Sequence, residues 1–330
     1  MQLKIGIIGL GRIGRIHYNH IRQQLPEAEI VMVSDVNKNE LPSDVQQGEV
    51  DELIGHPAID AVVICSPTDT HAQYVEQCAR AGKHVFCEKP LDLSLARIRE
   101  TLRVVHRHNI QLMLGFNRRF DANFMKLKAL VDAGKIGDVQ LVKITSRDPA
   151  PPSVDYLMRS GGLFLDMTIH DFDMARYVMG KEVKEVYATA SVLTGGAVAE
   201  AGDIDTAVVT LKFEDDSIAV IDNSRKAVYG YDQRVEVFGS KGMANVENNK
   251  PDSHVYYHED GVESALPLHF FMERYTGSYL TEMRAFIQAV QAKQRVPVGG
   301  TDGLKAAMIA VAAQRSFSEN VPVRVEAVAS

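Results

Sequence analysis

Short apolar runs and longer amphipathic segments alternate along the first 120 residues of the chain. The runs are typical of buried strands and read LKIGII (3–8), EIVMVSD (29–35), IDAVVICSP (59–67), KHVFCEKP (83–90) and IQLMLGF (110–116). Between them, apolar residues recur with helical spacing up to Leu25, through 70–82 and over roughly 94–108. This alternation predicts right-handed crossovers and a doubly wound parallel sheet with helices on both faces.

The rhythm changes near residue 120. After a predicted helix at about 121–133, strand-like segments follow as VQLVKITSR, VKEVYATASV, DTAVVTLKFEDDSIAVIDNSR and RVEVFGSKGMANVE. EDDS and GSKG have the composition of tight hairpin turns, which predicts mostly antiparallel pairing. Helices at about 273–293 and 302–318 close the chain. We therefore expect two domains, 1–120 and 121–330, the second an α+β domain with a large open sheet. One face of that sheet must be covered by helices or by another subunit, which favours a homo-oligomer, either a tetramer or a dimer.

One apolar segment carries an unusual number of ionisable groups. SGGLFLDMTIHDFDMARYVMG (160–180) has glycines at both ends, as a helix with marked ends does, yet it contains Asp166, His170, Asp171 and Asp173. Such groups are costly to desolvate, so a half-buried helix needs a reason to hold them.

Composition limits the function classes. At 330 residues the chain is long enough for two cores, and its net charge of −7 without a basic run argues against nucleic acid as a partner. No apolar run approaches the ~18 residues that span a membrane, and the start of the chain is a poor leader, so we expect a cytoplasmic protein. The odd number of cysteines, Cys65, Cys78 and Cys87, lacks metal-like spacing and indicates small buried side chains rather than a metal site.

A glycine fingerprint follows the first predicted strand and opens the first helix. Gly9 would allow a tight turn, Gly11 a close approach of the main chain to a pyrophosphate, and Gly14 close helix packing. Arg12 and Ile13 would begin the helix, whose N-terminal N–H groups attract the anion. The context of strand, glycines and helix predicts a dinucleotide site.

Asp35 ends the second strand, 21 residues after Gly14. Its carboxylate would accept hydrogen bonds from the adenosine ribose and repel a 2′-phosphate, so the sequence favours NAD over NADP. Arg12 could contact phosphate or partly accommodate NADP.

The loop after the third strand contributes Ser66, Thr68 and His71 as further cofactor candidates. In a doubly wound sheet this loop lies at the carboxyl edge of the strands, where ligands bind. The alternative for His71 is a structural histidine that bonds to nearby main chain.

The tripeptide Glu88-Lys89-Pro90 in VFCEKPL, together with the glycine fingerprint, resembles the glucose-fructose oxidoreductase, inositol dehydrogenase and rhizopine-catabolism (Gfo/Idh/MocA) family over essentially the whole chain. Within it, GFNRRFD (115–121), TSRDPAPP (145–152) and GGLFLDMTIHDFDMARY (161–177) are similar to the inositol 2-dehydrogenases. The resemblance implies a Rossmann domain and NAD-dependent oxidation of myo-inositol to 2-keto-inositol without a metal.

The resemblance also implies catalytic roles. Lys89 would contact the substrate hydroxyl and the nicotinamide, beside the cofactor residue Glu88, and the proline after it commonly has a cis peptide bond. Asp166 and His170 match the family's Asp-x-x-x-His pair. On one continuous helix these two would share a face, with His170 as general base and Asp166 orienting it. There are three alternatives for Asp166 and His170: they form a structural pair, they bind a metal, or their roles belong to Asp171 or Asp173. In the absence of such a role, Asp171 and Asp173 would cap the helix or pair with Arg176.

Candidates for contacts with a polyol match family positions at Asn117, Arg147, Asp148, Tyr231 and Tyr279. Asn117 could instead bind the nicotinamide side of the cofactor, Arg147 and Asp148 could form an ion pair, and the tyrosines could pack at the sheet or at a subunit contact.

Other candidate functions are a dehydrogenase of scyllo-inositol, D-glucose or a related sugar, and a non-catalytic NAD-binding sensor.

Overall fold

The computed structural model describes residues 2–37 and 40–328, which form two compact units. The first contains the described residues up to Phe120 together with Gly277–Ala307, and the second contains Asp121–Thr276 together with the described residues from Met308 onward. No described helix combines the length and the apolar composition that crossing a bilayer requires.

The first unit is built on a parallel sheet. Its elements in chain order are β1 (Leu3–Ile8), α1 (Arg12–Gln24), β2 (Ala28–Ser34), β3 (Gln46–Gln47), α2 (Val50–Gly55), β4 (Ala61–Ile64), α3 (Thr68–Arg80), β5 (His84–Cys87), α4 (Leu95–Arg107) and β6 (Leu112–Leu114). The strand order is β3-β2-β1-β4-β5-β6, with every pair parallel. The chain order reverses direction beside β1, which confirms the predicted doubly wound sheet.

The second unit is built on a mostly antiparallel sheet. Its helices are α5 (Ala122–Asp132), α6 (Val154–Leu157), α7 (Gly162–Asp166), α8 (Ile169–Met179), α9 (Ala197–Glu200) and α10 (Phe271–Arg274). Its strands are β7 (Val139–Arg147), β8 (Val183–Ser191), β9 (Thr206–Phe213), β10 (Ile218–Ser224), β11 (Asp232–Gly239), β12 (Gly242–Val246), β13 (Val255–His258), β14 (Gly261–Ser264) and β15 (Val323–Arg324). Seven of these strands form one sheet in the order β12-β11-β7-β10-β9-β8-β15, in which only β7 and β10 pair in parallel. The predicted turns EDDS and GSKG connect antiparallel neighbours, as expected.

The chain returns to the first unit through α11 (Thr276–Gln291) and the beginning of α12 (Gly300–Glu319). Phe286 of α11 meets the ring of Phe86 edge to face at 5.8 Å, and a Cβ on Gly303 would lie 2.2 Å from a methyl group of Leu114. We predicted that residues 121–330 form the second domain, but Gly277–Ala307 belongs to the first unit. The reason is that apolar side chains of this segment pack on the core of the parallel sheet.

The polar segment 160–180 is not the single helix that we expected. It forms α7 and α8, with a break at Met167 and Thr168. The N–H groups of both residues donate to the carbonyl of Leu163, and the buried Thr168 hydroxyl donates to Asn223 Oδ1 at 2.7 Å. The chain therefore turns where Thr168 bonds to β10. Asp166 ends one helix and His170 lies in the first turn of the next, so the prediction of one continuous helix is wrong, and the pairing of the two side chains stays a prediction.

A buried ion pair anchors the start of the second unit. Asp121 caps α5 by accepting hydrogen bonds from the N–H groups of Asn123 and Phe124, and it pairs with both terminal nitrogens of Arg274. The Arg274 side chain is 1% exposed and its guanidinium also lies 4.9 Å from the ring centroid of Tyr275.

Arg274→Met should destabilise the second unit by about 3–5 kcal/mol, because it leaves the Asp121 carboxylate buried without its cation. Chemical denaturation checks this free energy of unfolding. Glu236→Gln is the matched control, since it breaks the exposed pair with Lys143 and should change the free energy by less than about 1 kcal/mol. Equal effects of the two substitutions would contradict the prediction.

Candidate active site

The three fingerprint glycines occupy three different environments. Gly9 has a φ of +88°, and a Cβ there would lie 2.7 Å from the main chain of Cys65 and Ser66. At Gly14 a Cβ would lie 2.1 Å from the carbonyl oxygen of Gly9, whereas at Gly11 it would meet no atom within 4 Å. Gly9 and Gly14 are therefore required by the fold, and Gly11 leaves open space above the turn.

This loop fits the pyrophosphate of a dinucleotide. Gly11 is the N-cap of α1, and no side chain caps that helix end. Arg12 and Ile13 begin the helix, with Arg12 exposed and Ile13 half-buried. The N-terminus of a helix that begins beside open space at a glycine is what an anion requires.

Asp35 lies beside the glycine loop. It directly follows β2, and its carboxylate accepts hydrogen bonds from the N–H groups of Leu10 at 2.6 Å and Asn37 at 2.8 Å. The negative charge thus lies against the main chain of the fingerprint, as a ribose-binding acid requires.

His71 lies between two loops at the carboxyl edge of the sheet. Its Nδ1 is 2.8 Å from the carbonyl oxygen of Pro90 and its Nε2 is 2.8 Å from that of Ser66, and the residue is 1% exposed. Burial lowers the pKa of His71, which favours a neutral ring that can donate to only one carbonyl at a time. This geometry agrees with the structural alternative, in which the histidine hydrogen-bonds to main-chain carbonyl groups. Nearby, Thr68 begins α3, and the hydroxyl of Ser66 is hydrogen-bonded to that of Thr70 at 2.6 Å.

Glu88 and Lys89 directly follow β5, and the Lys89–Pro90 peptide bond is cis, as the resemblance implies. The carboxylate of Glu88 accepts a hydrogen bond from His17 Nε2 at 2.9 Å. A Cβ on Gly115 would lie 2.8 Å from that carboxylate, so the main chain after β6 approaches it closely. Lys89 is half-buried beside this arrangement.

The first unit brings its predicted cofactor residues to one edge. Gly9, Asp35, Ser66, Lys89 and Asn117 each lie within three residues of the end of a strand, after β1, β2, β4, β5 and β6 respectively. Because the carboxyl ends of parallel strands meet at the same edge, these residues line one side of the sheet. Asn117 begins a short 3₁₀ turn and is 3% exposed.

Tyr279 belongs to the first unit rather than to a surface of the second sheet. It is 6% exposed, and its ring meets that of His17 edge to face at 5.7 Å. The tyrosine therefore packs beside the Glu88–His17 pair. This position agrees with the packing alternative, and the substrate contact predicted for it stays a prediction.

In the second unit, Asp166 is held by two side chains that the sequence analysis missed. Its carboxylate accepts a hydrogen bond from the Tyr156 hydroxyl at 2.7 Å and pairs with Arg225 at 3.2 Å. Arg225 is 1% exposed and also lies 3.6 Å from the carboxylate of Asp203. Burial and then the charge of Asp166 raise the pKa of Tyr156, so this phenol stays protonated and donates. The result is a fixed anion beside the start of α8.

His170 is half-buried, whereas the two acids after it are fully buried and serve the fold. Asp171 accepts a hydrogen bond from the side-chain amide of Asn223 at 2.9 Å, and Asp173 lies 3.8 Å from Arg176. These contacts agree with the expectation that Asp171 and Asp173 are structural.

The predicted substrate residues of the second sheet also have partners. The guanidinium of Arg147 donates to Asp222 at 2.7 Å and to the Tyr229 hydroxyl at 3.0 Å, and the bond to Asp222 raises its pKa. The main chain of Asp148 bonds to β10 and to the loop after it. Tyr231 is 5% exposed and meets the ring of Tyr275 edge to face at 5.9 Å. Arg147 therefore has an ion partner, although it is Asp222 rather than the Asp148 considered from the sequence.

Family models match most of the chain. Residues 3–116 match the oxidoreductase family with an NAD-binding Rossmann fold, and residues 124–245 match the GFO/IDH/MocA C-terminal domain. The chain belongs to the Gfo/Idh/MocA family of oxidoreductases.

Relatives of this Gfo/Idh/MocA oxidoreductase share its full length. The chain is 48% identical to myo-inositol 2-dehydrogenase from Thermotoga maritima over 99% of both chains. Among solved structures, it is similar to a probable dehydrogenase from Thermotoga maritima, with 48% identity, a TM-score of 0.96, and coverage of 99% of this chain and 100% of that one. It is also similar to scyllo-inositol dehydrogenase from Lactobacillus casei with bound NAD(H) and scyllo-inositol, with 34% identity, a TM-score of 0.88 and coverage of 99% and 100%. The matched NAD-binding model confirms the predicted cofactor.

Several residues of this oxidoreductase were missed from the sequence because their partners are distant in the chain. These residues, Tyr156, Arg225 and His17, lie in patterns typical of ordinary helices, loops or strand ends. The available signal was weak: His17 is an ionisable residue at a position where the helical period predicts the apolar face. The three cysteines are free thiols, and burial raises the pKa of Cys78 to about 12.

Two glycine substitutions should separate cofactor binding from folding. Gly11→Ala should leave the thermal midpoint unchanged and weaken NAD at least about tenfold, because its methyl group occupies the open space that a pyrophosphate needs. Gly14→Ala should instead destabilise the first unit by about 3 kcal/mol or more, because its methyl group meets the carbonyl of Gly9. Calorimetry and NAD titration measure both properties. Normal NAD affinity in Gly11→Ala would contradict the assignment.

Proposed function

We propose that this oxidoreductase is an NAD-dependent inositol 2-dehydrogenase, which oxidises the C2 hydroxyl of myo-inositol to give 2-keto-inositol. The observation that carries the proposal is 48% identity over 99% of both chains to a protein named myo-inositol 2-dehydrogenase. The strand-end placement of Lys89 beside the NAD-binding edge supports it.

Oxidation of an alcohol releases a hydride and a proton from the same carbinol group. NAD, when bound, supplies the acceptor for the hydride. The ammonium of Lys89 would donate a hydrogen bond to the carbinol oxygen, which gains negative charge as the reaction proceeds. The imidazole of His170 would accept the hydroxyl proton, since its ordinary pKa lies near neutrality. The proposal requires both side chains to act on one oxygen.

The contacts of Asp166 change the role proposed for it. Arg225 and Tyr156 hold its carboxylate in place, so it does not depend on His170 for its position. We propose that Asp166 is a preorganised acceptor for a neighbouring substrate hydroxyl. A polyol needs such acceptors at fixed positions, because each of its hydroxyl groups loses water on binding.

The second candidate is the same reaction on another polyol or sugar. A relative with 34% identity has been solved with scyllo-inositol, which differs from myo-inositol in the configuration at one carbon, and D-glucose remains in the same class. A non-catalytic NAD-binding sensor is a weaker alternative, since both Lys89 and His170 are present.

The assembly and location are further parts of this proposal. The outer face of the second sheet exposes Val208, Ile218 and Phe238, each at least 40% exposed. A face with such side chains supports the expected homo-oligomer, a dimer or a tetramer. The cytoplasmic location expected from the sequence stays a prediction.

Lys89→Ala and His170→Ala should each lower kcat about 100-fold or more, because each removes a contact that strengthens in the transition state. Steady-state kinetics with NAD and myo-inositol measures this loss. Lys126→Ala and His254→Ala, which alter exposed side chains of the same types, serve as controls and should leave kcat unchanged. Near-normal turnover of both site variants, with NAD affinity retained, would refute the assigned roles.

A substrate panel tests the function itself. Initial rates with myo-inositol, scyllo-inositol and D-glucose, each with NAD and with NADP, should rank myo-inositol with NAD first. A preference for glucose would overturn the substrate, and a preference for NADP would overturn the role of Asp35. Tight NAD binding without turnover on any substrate would favour the sensor.

A further inference from the structure

Glu282 is a fully buried acid in the core of the first unit. It lies on α11, is 0% exposed, and neither carboxyl oxygen has a hydrogen-bond partner among the described residues. Nothing in the proposed reaction uses it. A buried acidic side chain in such an environment needs a physical explanation.

The groups that face Glu282 come from three other elements of the same unit. One turn after Glu282, Phe286 packs its ring against Phe86 of β5, so this face of α11 lies beside the strand that leads to Glu88. The charge of Glu88 acts on Glu282, and that of Glu282 acts on Cys65 after β4. On α1, His17 holds Glu88 at 2.9 Å and is flanked by His20. On its own helix, Tyr279 packs its ring against His17. No Lys or Arg is bonded to Glu282 in the described structure.

These surroundings favour the neutral form of Glu282 in the folded protein. An ionised carboxylate without a donor would have the full cost of desolvation, and a second anion beside Glu88 would add repulsion. Of the two acids, Glu88 is the better anion, because it has a hydrogen bond from His17 and its side chain is 14% exposed. Burial and then the charge of Glu88 raise the pKa of Glu282 well above its usual range, in agreement with the geometry.

A metal ion is the rival explanation for this cluster. One donor atom each of His17, Cys65 and Glu88 lie within 4.8 Å of one another. However, His17 Nε2 and Glu88 Oε1 are 2.9 Å apart, which is hydrogen-bond distance, whereas two ligands of a tetrahedral zinc are separated by about 3.3 Å. The observed spacing is that of a direct hydrogen bond.

We propose that Glu282 is a positioning residue which, as a protonated acid, keeps Glu88 charged and bonded to His17 and so sets the loop that presents Lys89. Glu88 and Lys89 are adjacent, so a displacement of the Glu88 carboxylate moves the main chain from which the lysine extends. Ionisation of Glu282 would place two anions in this core and displace Glu88. The part of the proposal that concerns Lys89 rests on the proposed function, whereas the protonation of Glu282 does not.

The first experiment measures protonation without catalysis. In the unfolded chain Glu282 loses its proton above its ordinary pKa, whereas in the native state it retains the proton. The free energy of unfolding of the wild type should therefore fall as pH rises, when it is compared with that of Glu282→Gln at the same pH. The ratio of their unfolding equilibrium constants should change about tenfold per pH unit between pH 5 and pH 7, since one proton is involved. Glu100→Gln, at an exposed acid of α4, is the matched control and should show no such slope.

The second experiment measures positioning. Glu282→Gln has the shape of the neutral acid, so it should keep kcat within about threefold of wild type at pH 7, whereas Glu282→Ala should lose tenfold or more. At high pH the wild type should lose kcat with little change in the NAD dissociation constant, and Glu282→Gln should lack that loss. A purely structural role would lower stability in both variants and leave the alkaline limb of the pH profile unchanged.

The outcomes separate the two proposals. If the ratio of unfolding equilibrium constants changes with pH but the protein has no activity on inositols, neutral Glu282 is supported and the proposed function is refuted. No slope, or one zinc per chain in the purified protein, overturns the inference. If Glu282→Gln does not fold, infrared spectra of the wild type should still show the carbonyl stretch of a protonated carboxyl group at pH 8. Its absence would overturn the inference.

Discussion

Close contact between main-chain segments at the carboxyl ends of the parallel strands determines much of the first unit. The carbonyl of Gly9 fills the space that a side chain on Gly14 would need, and the Glu88 carboxylate fills the space beside Gly115. These contacts hold the turn after β1 against the start of α1, and the loop after β5 against the main chain that follows β6. Through the hydrogen bond from His17 of α1 to Glu88, the glycine loop and the loop that carries Lys89 lie against the same helix, which suits the preorganisation that the proposed reaction requires.

The second constraint is the free-energy cost of burying a charged side chain. The two units avoid this cost in different ways. In the second unit, Asp166 and Asp121 are paired with the buried cations Arg225 and Arg274. In the first unit, Glu282 has no bonded cation among the described residues, and the state proposed for it is the neutral acid. Both solutions avoid an uncompensated ion, but a paired acid keeps its charge across a wide pH range, whereas a neutral acid is sensitive to alkali.

Local patterns were sufficient to predict the main strands and helices of the first unit and the edge of the sheet where the predicted cofactor residues lie. The apolar runs located β1, β4 and β5, and hence Gly9, Ser66 and Lys89, because strand period and glycine spacing are properties of neighbouring residues. The break between α7 and α8 could not be predicted in this way. It depends on a hydrogen bond from Thr168 to Asn223, 55 residues later, while the local sequence favours a continuous helix. The partners of Asp166 were missed for the same reason, since Arg225 follows a strand that gives no local sign of this contact.

The first unit is discontinuous, and this has a consequence for synthesis on the ribosome. Phe286 and Gly303 complete a core whose strands all precede residue 115. The first unit therefore cannot complete its core until almost the entire polypeptide has emerged, and until then part of its apolar surface is uncovered. A truncated fragment that ends at residue 120 would expose that surface permanently, so limited solubility is expected of it even though it contains every strand of its sheet.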